Sequence, residues 1–261
     1  MPISPAMLLR MSRGLVLLIL LLFVLPTAAS FAWWATVDRP VRWSEADWGP
    51  SGVLPPATDV PGDAIHVMTA RTGGWKGAVA VHSWIVWKRA GDVRWTRHDV
   101  VGWGAPVRRN AYPPDGRWYS NEPWIVGTVA GPRAAAAIPK LALAVEDYPW
   151  SAHGDYRIWP GPNSNTFVEY LLRSVPELGL TLPPNAAGKD WTGRLFLRDA
   201  GGDVHVGAWG LAGLSAGPRT GLELHFMGQT FGVDLRRPAL KLPSLGRVEV
   251  ATLRGVQMET S

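Results

Sequence analysis

The chain has 261 residues, with 26 basic side chains, 21 acidic ones and no cysteine. Arg10 and Arg13 precede an apolar N-terminal segment, so the remainder carries 24 basic against 21 acidic residues. This weak charge excludes the strongly basic surface typical of nucleic-acid binding. The lack of cysteine excludes a disulfide framework, so stability must come from apolar burial, to which fifteen tryptophans contribute.

The N-terminal segment is apolar without interruption from Leu15 to Leu25. This core, followed by small residues at 28–30, is typical of a cleaved signal peptide. The alternative is an uncleaved anchor, because Gly14 to Ala35 is long enough to cross a hydrocarbon core of about 30 Å. Trp33 and Trp34 favour the anchor, since indole rings prefer the headgroup level of a membrane.

Three regions follow from this pattern. Residues 1–36 form the membrane anchor or signal segment, 37–72 a linker rich in proline and glycine, and 73–261 a single domain with a β-rich C-terminal part. We expect a protein of the bacterial inner membrane that crosses it once, with the C-terminal domain in the periplasm or outside. The alternative is secretion after signal cleavage.

The first strong element is a hairpin. β-Branched and aromatic residues crowd the strand at 78–88, and the turn at 89–92 leads to a second strand at 93–102. If the loop closes symmetrically, His82 faces Asp99 and Ser83 faces His98, whereas a slip of one residue places His98 opposite His82.

The rest of the pattern predicts an α+β domain with a largely antiparallel sheet and two or three helices. The predicted helices cover 132–148 and a segment that opens at Thr166. Further strands are predicted at 124–129, 194–197, 204–209, 222–227 and 230–235. The segment Pro238 to Pro243 is expected to leave the sheet.

Nucleophilic catalysis needs a nucleophile, a base and a group that orients the base. Ser164, His82 and either Asp99 or His98 are the candidates for these roles. Backbone N–H groups at the start of the helix that Thr166 opens would offer donors to an oxyanion.

A structural interpretation competes with this one. Thr166 and Glu169 match a capping box, and Asn163, Ser164 and Asn165 are ordinary cap and turn residues. A histidine in mid-strand, such as His82, is commonly a half-buried residue whose hydrogen bonds are satisfied.

No metal or cofactor is predicted. The six histidines form no short ligand pair, and the sequence contains no H-E-x-x-H pattern. A glycine-rich phosphate loop after a strand is also missing from the sequence.

Several motifs resemble a known bacterial family. They are Trp75-Lys76-Gly77, Ala80-Val81-His82-Ser83-Trp84, Val101-Gly102-Trp103-Gly104, Arg108-Arg109-Asn110-Ala111-Tyr112, the run Tyr156 to Phe167, and Pro238 to Pro243. Together they resemble the family called domain of unknown function 3750, over about Gly73 to Arg247. The resemblance carries no activity with it.

A more distant resemblance is mechanistic. Circularly permuted papain-like enzymes of the NlpC and lecithin retinol acyltransferase groups have the motif Asn-Cys-Glu-His-Phe-Val at the nucleophile. The run Asn163 to Val168 is similar to this motif, with Ser164 at the cysteine position, and His82 precedes it in the required order. The resemblance implies a permuted papain-like fold.

Three hypotheses follow. In the favoured two, this is an uncharacterised envelope domain that binds a lipid or peptidoglycan ligand, or one that serves in assembly. Asn163, Asn165, Trp84 and Trp159 are then the candidate binding residues, with an apolar groove rimmed by Trp84, Trp95 or Trp159. The alternative is a serine-dependent amidase, esterase or acyltransferase that uses Ser164.

Overall fold

The computed structural model describes residues 4–249 and has an α+β architecture. Three long helices are present in this range: α1 spans Pro5–Ala35, α2 Pro132–Glu146 and α3 Ser164–Ser174. Helix α1 includes a π-helical turn at Leu20–Val24 and is long and apolar enough to cross a membrane. The strands form two antiparallel sheets, which confirms the predicted fold class. This architecture does not establish a papain-like permutation.

The first sheet has five strands in the order β4-β3-β2-β1-β5. They are β1 Ala64–Arg71, β2 Val81–Lys88, β3 Thr96–Val100, β4 Val107–Arg109 and β5 Trp124–Ala130. Nearly every residue of β1 and β2 is buried, because both faces of the sheet are covered. The two strands therefore bury polar residues, such as His66, Thr69, His82 and Ser83, together with apolar ones.

Helices α2 and α3 cover one face of the first sheet. Leu141 of α2 and Phe167 and Leu171 of α3 pack with Ile65 and Ile85 of the sheet in the main core. The proline at the start of α2 fits its first turn, where no backbone N–H is required.

Aromatic loops cover the opposite face of the first sheet. Trp84 and Met68 from the sheet pack with Leu54 and Trp118 from the loops in a second core. Trp48 contacts the rings of Trp118 edge to face, at 5.1 Å between centroids. The buried tryptophans thus supply much of the apolar area of a fold without disulfides.

The second sheet is a meander of seven strands in the order β12-β11-β10-β9-β8-β7-β6. Its strands are β6 Phe196–Arg198, β7 Val204–Ala208, β8 Ala212–Gly217, β9 Gly221–Phe226, β10 Gln229–Asp234, β11 Ala239–Leu242 and β12 Gly246–Glu249. The buried face carries polar residues such as His205, Ser215 and Glu223, whereas Val206, Leu214 and Leu222 are exposed. The usual placement of polar and apolar faces is therefore inverted.

Helix α3 lies between the two sheets. Its apolar residues face the first sheet. The carboxylate of Glu169 lies 2.8 Å from the guanidinium of Arg219, in the turn between β8 and β9 of the second sheet. Arg219 also contacts Asp199 at 3.2 Å and Asp203 at 3.6 Å, and all four side chains are buried. A buried ionic network therefore joins the helix to the second sheet.

Two predictions from the sequence were wrong. The proposed linker, 37–72, contains β1, a central strand of the first sheet, and Leu54 of this segment belongs to a core. Pro238 to Pro243 does not leave the sheet, because β11 at Ala239–Leu242 pairs with both β10 and β12. In both segments, pairing with distant residues outweighs the local proline signal.

Replacing Arg219 with methionine should lower the free energy of unfolding by about 3–5 kcal/mol, because buried carboxylates lose their cation. The measurement is denaturant unfolding of the detergent-solubilised protein. Arg236→Met, at an exposed position, is the matched control and should change stability by less than about 0.5 kcal/mol. Equal effects of the two variants would contradict the proposed importance of the network.

Candidate functional site

His82 lies near the start of β2, on the face covered by the aromatic loops. Its Nε2 is 3.4 Å from Oδ2 of Asp99, and its ring stacks on Trp118 with 3.6 Å between centroids. Burial lowers the pKa of His82, while the hydrogen bond to Asp99 acts in the opposite direction. The imidazole is therefore held neutral in a closed site.

Asp99 is fully buried and shared between two partners. Arg97 donates from Nη2 to Oδ2 of Asp99 at 2.8 Å, and its guanidinium lies 4.2 Å above the Trp84 ring. Burial alone would raise the pKa of Asp99, but Arg97 and His82 outweigh it and hold the pKa below its usual value. Arg97 thus neutralises the carboxylate of Asp99, the residue that the sequence analysis predicted to face His82.

The hairpin register differs from the predicted one. Ile85 pairs with His98 and Val86 with Arg97, a shift of two residues from the symmetric closure. A shift of two keeps each side chain on its face, so His82 and Asp99 still meet. His98 lies on the opposite face and stacks on Trp87 at 4.5 Å. The structure therefore places Asp99, and not His98, beside His82.

Ser164 is the first residue of α3 and is buried beside Tyr156. Burial raises the pKa of Tyr156 to about 12, although hydrogen bonding from the Ser164 side chain and backbone opposes this shift. Within residues 4–249, no hydrogen bond joins Ser164 to His82. Strand β2 bonds to α3 on either side of His82. Ser83 Oγ donates to Oδ1 of Asn165 at 2.7 Å, and the Val81 carbonyl oxygen accepts from Nδ2 of Asn165 at 2.9 Å.

The cap of α3 is Asn163, and the predicted Thr166–Glu169 capping box was wrong. Oδ1 of Asn163 accepts from the backbone N–H groups of Asn165 at 2.9 Å and Thr166 at 3.1 Å. Thr166 Oγ1 accepts in return from the Asn163 N–H at 3.1 Å. These donors are used inside the fold, so the helix start offers little to an oxyanion.

The four predicted binding residues divide into buried and exposed ones. Asn163 and Asn165 are buried, and both donate to the carbonyl oxygen of Ala187. Trp84 is fully buried and donates to a backbone carbonyl, so it cannot rim a groove. Trp159 is exposed at the surface beside the turn between β9 and β10. Trp159 alone of the four is accessible to a ligand.

A second cluster of chemistry-bearing residues lies under the second sheet. Ser215 Oγ is 2.8 Å from both His205 Nδ1 and His225 Nε2, and His205 Nε2 is 3.4 Å from Asp199. The sequence analysis missed this cluster, although alternate polar residues in adjacent strands were a readable signal. All its members are buried, so it acts as an internal hydrogen-bond network.

Asp199, Asp203 and His205 also have the side chains of a metal site, with ligand atoms within 4.8 Å of one another. Arg219 already supplies a cation to both carboxylates. Asp203 also accepts from the backbone N–H groups of Arg219 and Thr220 at 3.0 Å each. The arrangement of these residues therefore fits a guanidinium and not an additional metal ion.

Comparison with known proteins gives one family. Residues 62–191 match the family described as "Protein of unknown function (DUF3750)". This region of the chain belongs to this family. No curated protein and no solved structure matches the chain. The matched region contains the first sheet, α2, α3 and the His82–Asp99 pair, while the second sheet lies beyond it. The family match gives no support to the papain-like resemblance.

His98, on the opposite face of the sheet, gives the stability of the fold a testable pH dependence. Burial and the nearby Arg109 lower its pKa from 6.5 to about 4, so its neutral form stabilises the fold fully above pH 6.5 and progressively less as the pH falls towards 4. In His98→Gln, the decline in unfolding free energy between these pH values should be shallower by up to about 1.4 kcal/mol per pH unit.

The measurement is denaturant unfolding at a series of pH values. His153→Gln, at an exposed position, is the control and should keep the slope of the unmodified protein. An unchanged slope in His98→Gln would contradict the burial of a neutral imidazole at this position.

Proposed function

We propose that this protein is a single-pass, membrane-anchored domain of the bacterial cell envelope, and that α1 is retained as its anchor. The supporting observation is that α1 is exposed over most of its length but buried near its end. Ser30 is 0% exposed and Trp34 is 1% exposed, because both pack into the domain. Cleavage at residues 28–30 would remove part of the packed interface, which favours an anchor over a signal peptide.

The contacts of the packed end are specific. Trp34 donates from Nε1 to the carbonyl oxygen of Gly74 at 2.9 Å, and Ser30 donates from Oγ to the carbonyl oxygen of Ala78. A Cβ added at Gly77 would lie 2.3 Å from the Trp34 ring. Glycine at this position lets the helix approach the loop closely, so the helix and the domain fit as one unit.

The end of α1 is surrounded by arginines and tryptophans. The Arg39 guanidinium lies 4.5 Å from the Trp75 ring centre, and that of Arg71 lies 4.7 Å from the Trp33 ring centre. Tryptophan and arginine side chains are favoured where a membrane meets water. This belt supports placing the end of α1 where the membrane meets water. The proposed orientation, with the domain on the outer side, rests instead on Arg10 and Arg13 before the apolar segment, which favour a cytoplasmic N-terminus.

Within this anchored domain, we favour a binding or assembly role over catalysis. His82 and Asp99 are closed off by Trp118 and Arg97, and Ser164 lies against Tyr156. A lipid or a peptidoglycan fragment is the proposed ligand class, and Trp159 is the proposed contact because it is exposed.

The anchor makes a prediction about processing. Membrane-extracted protein from a bacterial host should retain its N-terminus, so mass spectrometry should detect peptides that contain residues 14–30. A Leu235→Cys variant should react with a membrane-impermeant maleimide in intact spheroplasts, because the exposed Leu235 lies in the outer domain. A new N-terminus near residue 30, or labelling only after lysis, would contradict the proposal.

The alternative, a serine-dependent hydrolase or acyltransferase, is favoured only by the 3.4 Å contact between His82 and Asp99. A fluorophosphonate probe labels serine nucleophiles that a base activates. We expect equal labelling of the unmodified protein and Ser164→Ala, since Ser164 has no hydrogen bond to His82 within the described residues. Labelling that disappears in Ser164→Ala and His82→Gln would instead support the enzyme.

A further inference from the structure

The domain contacts α1 before the helix has crossed the full thickness of a membrane. Arg10 and Arg13 resist entry into the hydrocarbon, so the membrane-spanning part begins near Gly14. From Arg13 to Phe23 the helix rises only about 15 Å. A hydrocarbon core is about 30 Å thick, so Phe23 lies near its middle.

The domain already touches α1 at this depth. The Phe23 and Phe226 rings meet edge to face, with 5.6 Å between centroids, and the Thr27 and Ser244 hydroxyls are 3.1 Å apart. Phe226 ends β9 and Ser244 lies in the turn between β11 and β12. This end of the second sheet is therefore at the depth of lipid acyl chains.

The turns at this end are uncharged. They connect β7 to β8, β9 to β10 and β11 to β12, with the sequences Trp209-Gly210-Leu211, Met227-Gly228 and Pro243-Ser244-Leu245. Trp209, Leu211, Met227 and Leu245 are 61%, 50%, 48% and 43% exposed. We call these three turns the apolar end of the second sheet.

The opposite end of the same sheet has a different composition. Its turns contain Asp199, Asp203, Arg219, Arg236 and Arg237. The turns at one end of the sheet thus carry charges, whereas the three turns at the other end are uncharged, with the exposed Arg194 beside Trp209 as the charged neighbour before β6. The uncharged turns are the ones that contact α1. This polarity matches a sheet that stands with one end in lipid and the other in water.

The outer face of the second sheet extends the apolar end. Leu222 and Phe226 share this face because alternate residues of a strand point to the same side. Leu214, paired with Val206, continues it across β8 and β7, and Val206, Leu214 and Leu222 are exposed. The apolar surface is therefore continuous with the contact made by α1.

We propose that the apolar end of the second sheet, with the adjoining part of its outer face, is embedded among the acyl chains of the outer leaflet. This inference rests on the proposed retention of α1 as a membrane anchor. The embedding places Trp209 and Met227 in contact with lipid. It removes from water apolar side chains that would otherwise be exposed to it. The domain then lies partly in the membrane instead of standing above it.

The experiment uses the full chain, whose lack of native cysteine allows single labels. Leu211→Cys and Met227→Cys report on the apolar end, Leu235→Cys on the charged end, and Leu18→Cys on α1. Each variant carries the fluorophore NBD and is reconstituted in phosphatidylcholine–phosphatidylglycerol liposomes. All four positions are exposed, so the labels leave the fold intact.

Lipids with a nitroxide on the acyl chain should quench the probes at residues 18, 211 and 227 several-fold more than the probe at 235. Aqueous iodide should quench mainly the probe at 235. If residue 18 is quenched by the lipids but 211 and 227 are not, the anchor stands and the embedding is overturned. If residue 18 is not quenched either, the anchor itself fails. If the probe at residue 227 is shielded from iodide but is not quenched by the lipids, the surface is covered by a second copy of this chain, and the proposal is overturned.

Discussion

The packing of Trp34 against Gly77 is the contact on which this account depends. It fixes a helix that is otherwise exposed to the side of a folded domain, through a buried ring and a hydrogen bond to the Gly74 carbonyl. In the membrane-anchored protein that we propose, a helix held in this way sets the height and tilt of the domain relative to the membrane. The exposed surfaces near the helix therefore acquire a defined environment, and the apolar end of the second sheet acquires a role.

The inverted second sheet follows from charge pairing. Glu223 accepts from Lys189 at 2.8 Å and is also paired with Lys241, and Arg219 joins the sheet to α3 through Glu169. Buried charges persist only when they are paired and hydrogen-bonded, which draws the polar residues of the strands inward. Since strand residues alternate, the same strands must then present Leu214 and Leu222 outward. An apolar outer face is thus the consequence of the ionic inner face.

The sequence was informative wherever local pattern decides structure. The hairpin of β2 and β3, the helices α2 and α3 and the strands β7, β9 and β10 were predicted close to their positions. The register was off by two, because the connecting loop is longer than a tight turn and Trp95 is held by the Pro55 carbonyl. β1 was missed because both its faces are buried and prolines precede it. Only its pairing with β2 and β5 makes it a strand.

The candidate site was predicted only in part. The His82–Asp99 contact was foreseen from strand alternation, whereas Arg97 and Trp118, which close it, come from pairings that local sequence does not specify. The sequence analysis named Asn163 among the cap residues but placed the capping box at Thr166 and Glu169, because the choice of cap depends on where α3 begins. Which face of the second sheet is buried depends on Glu169 and Lys189, which are distant in sequence from its strands.

The most direct test of helix docking is a disulfide between α1 and the second sheet. The Thr27 and Ser244 hydroxyls are 3.1 Å apart, so Thr27→Cys combined with Ser244→Cys should cross-link readily under mild oxidation in native membranes. The pair Thr27→Cys with Arg236→Cys, at the opposite end of the sheet, should remain reduced. Cross-linking of the first pair alone is the result that this account predicts. Failure of the first pair to cross-link, or equal cross-linking of both pairs, would contradict a docked helix.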